Sequence, residues 1–281
     1  MVNIIDKLEA RAKKVGTVLC LGLDPVPSRM PIDEGDELTT TKEFLTKIVA
    51  ALGEKVAAVK PNSAFFEQLG PRGIELLVEI CLLAKEMDIP VILDAKRGDI
   101  GSTAKAYARY VFDVVGADMV TLSPYLGEDS LVPFFERMKD GSKGCYLLNR
   151  TSNPGGAKFQ NLIVDGRPFY EHVTEAIIEW NGYYANSIGA VVGATVPTEF
   201  EAISKIYCDK ECLVPLLVPG VGAQGGDANR VLEILRERNL LHRARVNSSS
   251  GILYAHEKSE ESDWLKASAN EVERLRKILP A

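Results

Sequence analysis

The sequence predicts a single (β/α)8 TIM barrel over residues 1–281, with an N-terminal helix across its bottom. Three observations predict it. Apolar runs of strand length alternate eight times with helical patterns, which implies a parallel sheet. Polar residues recur at the C-terminal end of almost every such run, the face on which barrel active sites are built. No linker rich in Ser, Pro or charge divides the 281 residues, and barrels commonly use about 250 residues as one domain. The runner-up, an open doubly wound sheet, is disfavoured because no Gly-x-Gly-x-x-Gly follows the first strand.

The elements follow from local chemistry, taken in order. Met1 to Lys14 is amphipathic and mixes acids with bases, which suits a docking helix better than a signal peptide. Val18 to Asp24 reads as a strand stopped by Pro25, and Thr41 or a neighbour caps a helix from Lys42 to Gly53. Val56 to Lys60 is a strand stopped by Pro61, and a helical stretch from Ser63 to Met87 is interrupted at Gly70-Pro71. The run from Val91 carries Asp94, Lys96 and Asp99 before a helix over Ala104 to Val115. Met119 to Ser123 precedes a helix from Asp129 to Met138, and Gly144 to Asn149 precedes the unusually long connection Thr151 to Gly166. Loops of that length are often lids or binding loops. Arg167 to Ile188 is helical, followed by a strand over Ala190 to Thr195 and a helix over Thr198 to Tyr207. Leu213 to Val218 ends at a Gly-rich turn, Pro219 to Gly226, before a helix from Asp227 to Arg238. Arg245 to Ser249 is the last strand and Trp264 to Leu279 the closing helix.

Composition narrows the function. With 46% hydrophobic and 26% charged side chains the chain reads as an ordinary soluble protein with a large core. A net charge of −6 argues against a nucleic-acid surface. No stretch is long and apolar enough to span a membrane. Five scattered cysteines, mostly in apolar contexts, read as reduced core residues of a cytoplasmic protein. Neither Cys208 and Cys212 nor the three histidines complete a metal-ligand cluster, so no metal is expected.

The chemistry gathers on the first three strands. Asp24 ends the first, Lys60 the second, and Asp94 and Lys96 share one face of the third, since strand side chains alternate. Neighbouring strands lie about 4.8 Å apart, so these four charges meet at one rim, each keeping its neighbours ionised. An Asp-x-Lys pair alone is most often a surface ion pair; four converging charges are harder to dismiss. Such an array suits a carbanion reaction, in which a lysine stabilises developing negative charge and then delivers a proton. Asp99 and Thr103, four apart, are expected on one face of the following helix. Ser152 lies where Pro154 and Gly155 bend the chain, although such a stretch alone is more often just a turn. The Gly-rich turn after strand seven lets backbone approach a ligand, and loops after strands seven and eight commonly hold phosphate in barrels.

As a set these residues resemble the orotidine 5′-phosphate decarboxylase family, in the form found in its longer bacterial branch. Asp94-Ala-Lys96-Arg-Gly-Asp99 is similar to its Asp-x-Lys-x-x-Asp signature. Lys60-Pro-Asn-Ser, Thr151-Ser152-x-Pro-Gly and Gly222-Ala-Gln224-Gly-Gly match further motifs in order. The signature is shared with hexulose-phosphate synthase and related phosphosugar lyases; Ser152 and Gln224 favour the decarboxylase.

The resemblance implies roles. Asp94 faces the substrate carboxylate, Lys96 protonates C6, and Lys60 and Asp99 complete the charge network. Asp99 and Thr103 reach into the neighbouring site of a homodimer. Asp24 and Lys60 hold ribose hydroxyls, Ser152 reads the pyrimidine, and Gln224 bridges pyrimidine and phosphate. No cofactor and no metal are implied, and the substrate is a small nucleotide. One position departs from the pattern: before Gly251, where the family usually grips phosphate with arginine, stands Ser250. A serine offers one neutral donor in place of a bidentate charged fork. Arg245, five residues back, is expected roughly 16 Å away, towards the other end of the strand. Two alternatives stand beside the decarboxylase. One is a magnesium-dependent phosphosugar aldolase, which needs an acid where the second strand ends in Lys60. The other is a weakly active relative impaired at Ser250.

Overall fold

Strands buried on both faces read as continuous apolar runs, the pattern of a parallel sheet wrapped by helices. The computed structural model describes residues 2–212, 214–220 and 228–281. The apolar runs form eight strands: Leu19–Leu23, Ala58–Pro61, Ile92–Arg97, Met119–Leu122, Gly144–Arg150, Ile188–Val192, Leu216–Val218 and Ala244–Ser248. All pairings among them are parallel, and the eighth returns to the first with Val246 opposite Leu19. The second and third strands meet through two separate bridges, Val59 opposite Val91 and Asn62 opposite Asp94. The ring so formed is a (β/α)8 barrel.

The N-terminal helix, Ile4–Val15, is capped by Asn3, whose side chain accepts from the Ile5 amide. It buries Ile4, Ile5 and Leu8 against Cys20, Ala58, Ile92, Met119, Tyr146, Val191 and Leu217, one from each of the first seven strands. It therefore plugs one mouth of the barrel. Arg11 fixes it there by donating to the carbonyls of Val56 and Gly53. The polar ends of the strands face the opposite mouth, and the third strand stays buried through Asp94 and becomes accessible from Ala95 onward. No helix among the described residues is long and apolar enough to cross a membrane.

Several boundaries differ from the sequence reading, each for a local reason. The helix expected from Lys42 begins at Glu37, because the Asp36 carboxylate accepts from the amides of Leu38 and Thr39. Thr41 sits inside that helix, its hydroxyl donating back to the Glu37 carbonyl at 2.6 Å. The helix expected to run to Ile188 spans Phe169–Tyr183. Ala185 and Asn186 are left-handed, and the Asn181 side chain accepts from the Ile188 amide, so the chain turns and the sixth strand starts two residues early. The long connection after strand five is not structureless. It holds a short helix, Ala157–Gln160, and a hairpin of Ile163–Val164 with Arg167–Pro168.

Candidate active site

Asp94 is the hub of the open mouth. Lys60, 3% exposed, donates to its Oδ2 at 2.8 Å, and Lys96 donates to its Oδ1 at 2.6 Å. Burial, the largest influence on both Lys60 and Asp94, works against either charge, yet the pairing overrides it. Asp94 and Asp24 hold Lys60 above the ordinary lysine range, and Lys60 and Lys96 hold Asp94 well below the carboxylate range. The buried pair is thus fully ionised, and Lys96, on an exposed residue, presents its ammonium from the rim.

Lys96 is aimed by an irregularity that sequence alternation alone does not foresee. Its φ is +45°, a left-handed conformation costly for a lysine. The register between the third and fourth strands shifts between Leu93 and Arg97, which marks a bulge. Thr121 on the fourth strand holds that bulge. Its hydroxyl oxygen accepts from the amides of Ala95 and Lys96, both at 3.0 Å, and its proton goes to Asp94 Oδ1 at 2.9 Å. A lone threonine in an apolar strand carries no sequence signal for such a role.

The mouth is a cavity of about 650 Å³, within the range usual for small-molecule sites. Asp24, Lys60, Asp94, Lys96, Ser152, Ser250 and Gly251 all line it. Asp24 Oδ1 is buried with no hydrogen-bond partner among the described residues, as is Oδ1 of the neighbouring lining residue Asn247. Two such acceptors suit ligand hydroxyl or amide donors. Ser152 is held by Thr195, whose hydroxyl donates to its carbonyl, and by Gly193, where any Cβ would come within 2.7 Å of the Ser152 backbone. At the foot of the long connection, buried Arg150 donates to the Thr151 carbonyl and pairs with Glu199 at 3.2 Å.

Asp99 and Thr103, expected to serve a neighbouring site, lie off the cavity of their own chain. Asp99 precedes the helix Gly101–Arg109 and accepts from its neighbour's amide, Ile100, so it does not share a helical face with Thr103. The helix starts three residues before the expected Ala104, yet the extended Ile100 ahead of it keeps Asp99 outside. Gln224 lies outside the described residues. Arg245 is buried, donating to the carbonyls of His242 and Ala244, and is absent from the cavity wall. Lining residues to which the sequence reading gave no role include Thr121, Asn247, Arg29, Phe65 and Tyr254.

Fold and site together define a barrel enzyme whose rim chemistry is a lysine–aspartate–lysine array. Residues 17–263 match the model of the orotidine 5′-phosphate decarboxylase / HUMPS family, and the chain belongs to that family. It is 44% identical over 253 residues to an orotidine 5′-phosphate decarboxylase of Herpetosiphon aurantiacus, covering 89% of each chain. Against one of Dehalococcoides mccartyi the identity is 43%, covering 92% of each chain. Among solved structures, Leishmania donovani OMP decarboxylase superposes with a TM-score of 0.77 at 33% identity, covering 98% of this chain and 99% of that one.

Proposed function

We propose that the protein decarboxylates orotidine 5′-phosphate to uridine 5′-phosphate in pyrimidine synthesis, in the cytoplasm, as a homodimer and without a cofactor. The observation that carries this reading is the Lys60–Asp94–Lys96 array on the wall of the open cavity. Asp94 remains an anion, so a substrate carboxylate seated against it is repelled, and departure as neutral carbon dioxide relieves the repulsion. The C6–carboxylate bond breaks with its electron pair left on C6. The Lys96 ammonium stabilises that charge and donates a proton to C6. Lys60 keeps Asp94 charged throughout.

In the same reading Asp24 and Lys60 hold the ribose hydroxyls, and the unpartnered Asp24 Oδ1 supplies an acceptor for one. Ser152 reads the pyrimidine, and Gln224 spans it to the phosphate near Ser250 and Gly251. Asp99 and Thr103, off their own cavity, serve the partner's site. The magnesium-dependent aldolase reading needs an acid where Lys60 sits paired to Asp94. The test is the absorbance change when purified protein meets orotidine 5′-phosphate, with and without chelator. Turnover insensitive to chelator supports the decarboxylase; no turnover leaves the weakly active relative.

A further inference from the structure

A phosphate dianion in this cavity needs a cation, and Ser250 supplies none. Among the described residues three cations line the wall: Lys60, Lys96 and Arg29. Both lysines are committed to Asp94. Arg29 stands apart from them, on the turn Pro27–Arg29 that follows the first strand. Its guanidinium carbon lies 4.0 Å from the centre of the Tyr254 ring, four residues past Ser250. Tyr254 is itself locked, its hydroxyl accepting from the Val26 amide at 2.6 Å, so it forms a rigid platform joining the loops after strands one and eight.

The guanidinium is held by Glu257, with Nε on Oε1 at 2.9 Å and Nη2 on Oε2 at 2.5 Å. That fork leaves Nη1 without a partner among the described residues. Both side chains are about one-third exposed, 36% and 35%, so the pair is solvated and weakly held. A carboxylate that occupies two of the five guanidinium donors in bidentate fashion is a stereochemical stand-in for a phosphate.

We propose that Arg29 is the phosphate-binding cation of this chain, compensating for Ser250, and that Glu257 holds it in place until the nucleotide's phosphate arrives. The inference rests on the nucleotide-binding reading above and adds a residue from the loop after the adjoining first strand. Two consequences separate it from a merely structural ion pair. Removing Arg29 weakens binding of the phosphate alone, and removing the charge of Glu257 strengthens it.

The test is calorimetric titration of uridine 5′-phosphate and uridine into the full chain and its variants, beside turnover of orotidine 5′-phosphate. Arg29→Ala is expected to lower the ratio of uridine 5′-phosphate to uridine affinity by about ten- to a hundredfold, equivalent to about 1.4–2.8 kcal/mol. Arg29→Lys falls between, keeping charge and losing the fork. Glu257→Gln raises the ratio, and Ser250→Arg restores it in the Arg29→Ala background. An unchanged ratio in Arg29→Ala, or an equal loss in Glu257→Gln, overturns the inference. If the unaltered protein binds uridine 5′-phosphate but fails to turn over the substrate, the catalytic reading falls and the titrations still decide Arg29. If it binds neither ligand, both fall.

Discussion

Asp94→Asn keeps the shape of the hub and removes its charge, which isolates the electrostatics of the buried pair. Lys60 is 3% exposed with its ammonium 2.8 Å from Asp94, and stripping one partner from a buried ion pair costs about 3–5 kcal/mol. Asp24, the second carboxylate acting on Lys60, remains and offsets part of that cost; beyond it, the lysine can escape by losing its proton. Neutralising it costs about 1.4 kcal/mol for each pH unit below its ordinary value near 10.4, or about 4 kcal/mol at pH 7.5. The two figures agree, so the variant is expected to fold with Lys60 neutral.

The sign of the pH dependence follows from that. In the native protein the folded value of Lys60 is raised and that of Asp94 depressed. Lys60 therefore contributes fully below its unfolded value and loses that contribution only as pH rises through the folded one. Asp94 contributes fully above its unfolded value and loses it as pH falls through the folded one. Neither titrates between about pH 6 and 9. In the variant the folded value of Lys60 lies below the unfolded one, so the unfolded chain binds the extra proton and stability climbs with pH by about 1.4 kcal/mol per unit. At about 2–4 °C per kcal/mol for a chain of this size, Tm is expected to drop by roughly 6–20 °C at pH 7.5. By pH 9 about 4–8 °C of that is recovered. Thermal unfolding by circular dichroism from pH 6.5 to 9.5 measures both. A penalty below about 1 kcal/mol, or one that does not shrink as pH rises, would refute the claim that Lys60 depends on this carboxylate for its charge.

The remaining predictions concern the rim. Lys96→Ala is expected to abolish turnover of orotidine 5′-phosphate with stability changed by no more than about 0.5 kcal/mol, because the residue is exposed; near-normal turnover removes it as proton donor. Mixing Lys96→Ala with Asp99→Ala chains restores one competent site per heterodimer, and no recovery in a mixture shown to exchange subunits counts against a shared site. Thr121→Val orphans the amides of Ala95 and Lys96. It should cost about 1–3 kcal/mol and lower kcat, with Thr121→Ser recovering both; unaltered kcat means the bulge does not aim Lys96. Ser250→Arg should raise kcat/KM at least about tenfold, towards a thousandfold if about 4 kcal/mol of transition-state stabilisation returns. Arg29 in place keeps the gain at the lower end, and no gain, even in the Arg29→Ala background, removes Ser250 from the phosphate site.

Strand ends and their charges were legible in the sequence because burial on both faces pushes most of a strand's charged groups to its ends, and in a barrel the C-terminal ends carry the site. That logic found Asp24, Lys60, Asp94 and Lys96, all of which line one cavity. It failed where a tertiary contact overrides local period. Asp99 was expected on a helical face, but the left-handed Lys96 and the bulge set the helix start at Gly101. Asp36 displaced Thr41 as a cap because its carboxylate reaches two amides at once. Arg29 gave no signal, since only the folded chain brings the turn after strand one against Tyr254 near the other end of the sequence.

The ring of strands is joined between the second and third by two separate bridges, with no continuous ladder. Those same strands carry Lys60 and Asp94, so the ion pair acts as a rivet across the hoop's joint. One pair of side chains therefore serves both the joint of the barrel and the wall of the cavity. A fluctuation that opened the joint would also draw the Lys60 ammonium away from the Asp94 carboxylate, because both contacts span the same two strands. The hoop is thus closed at this joint by side-chain charge as well as by backbone, and the closure sits at the rim of the cavity.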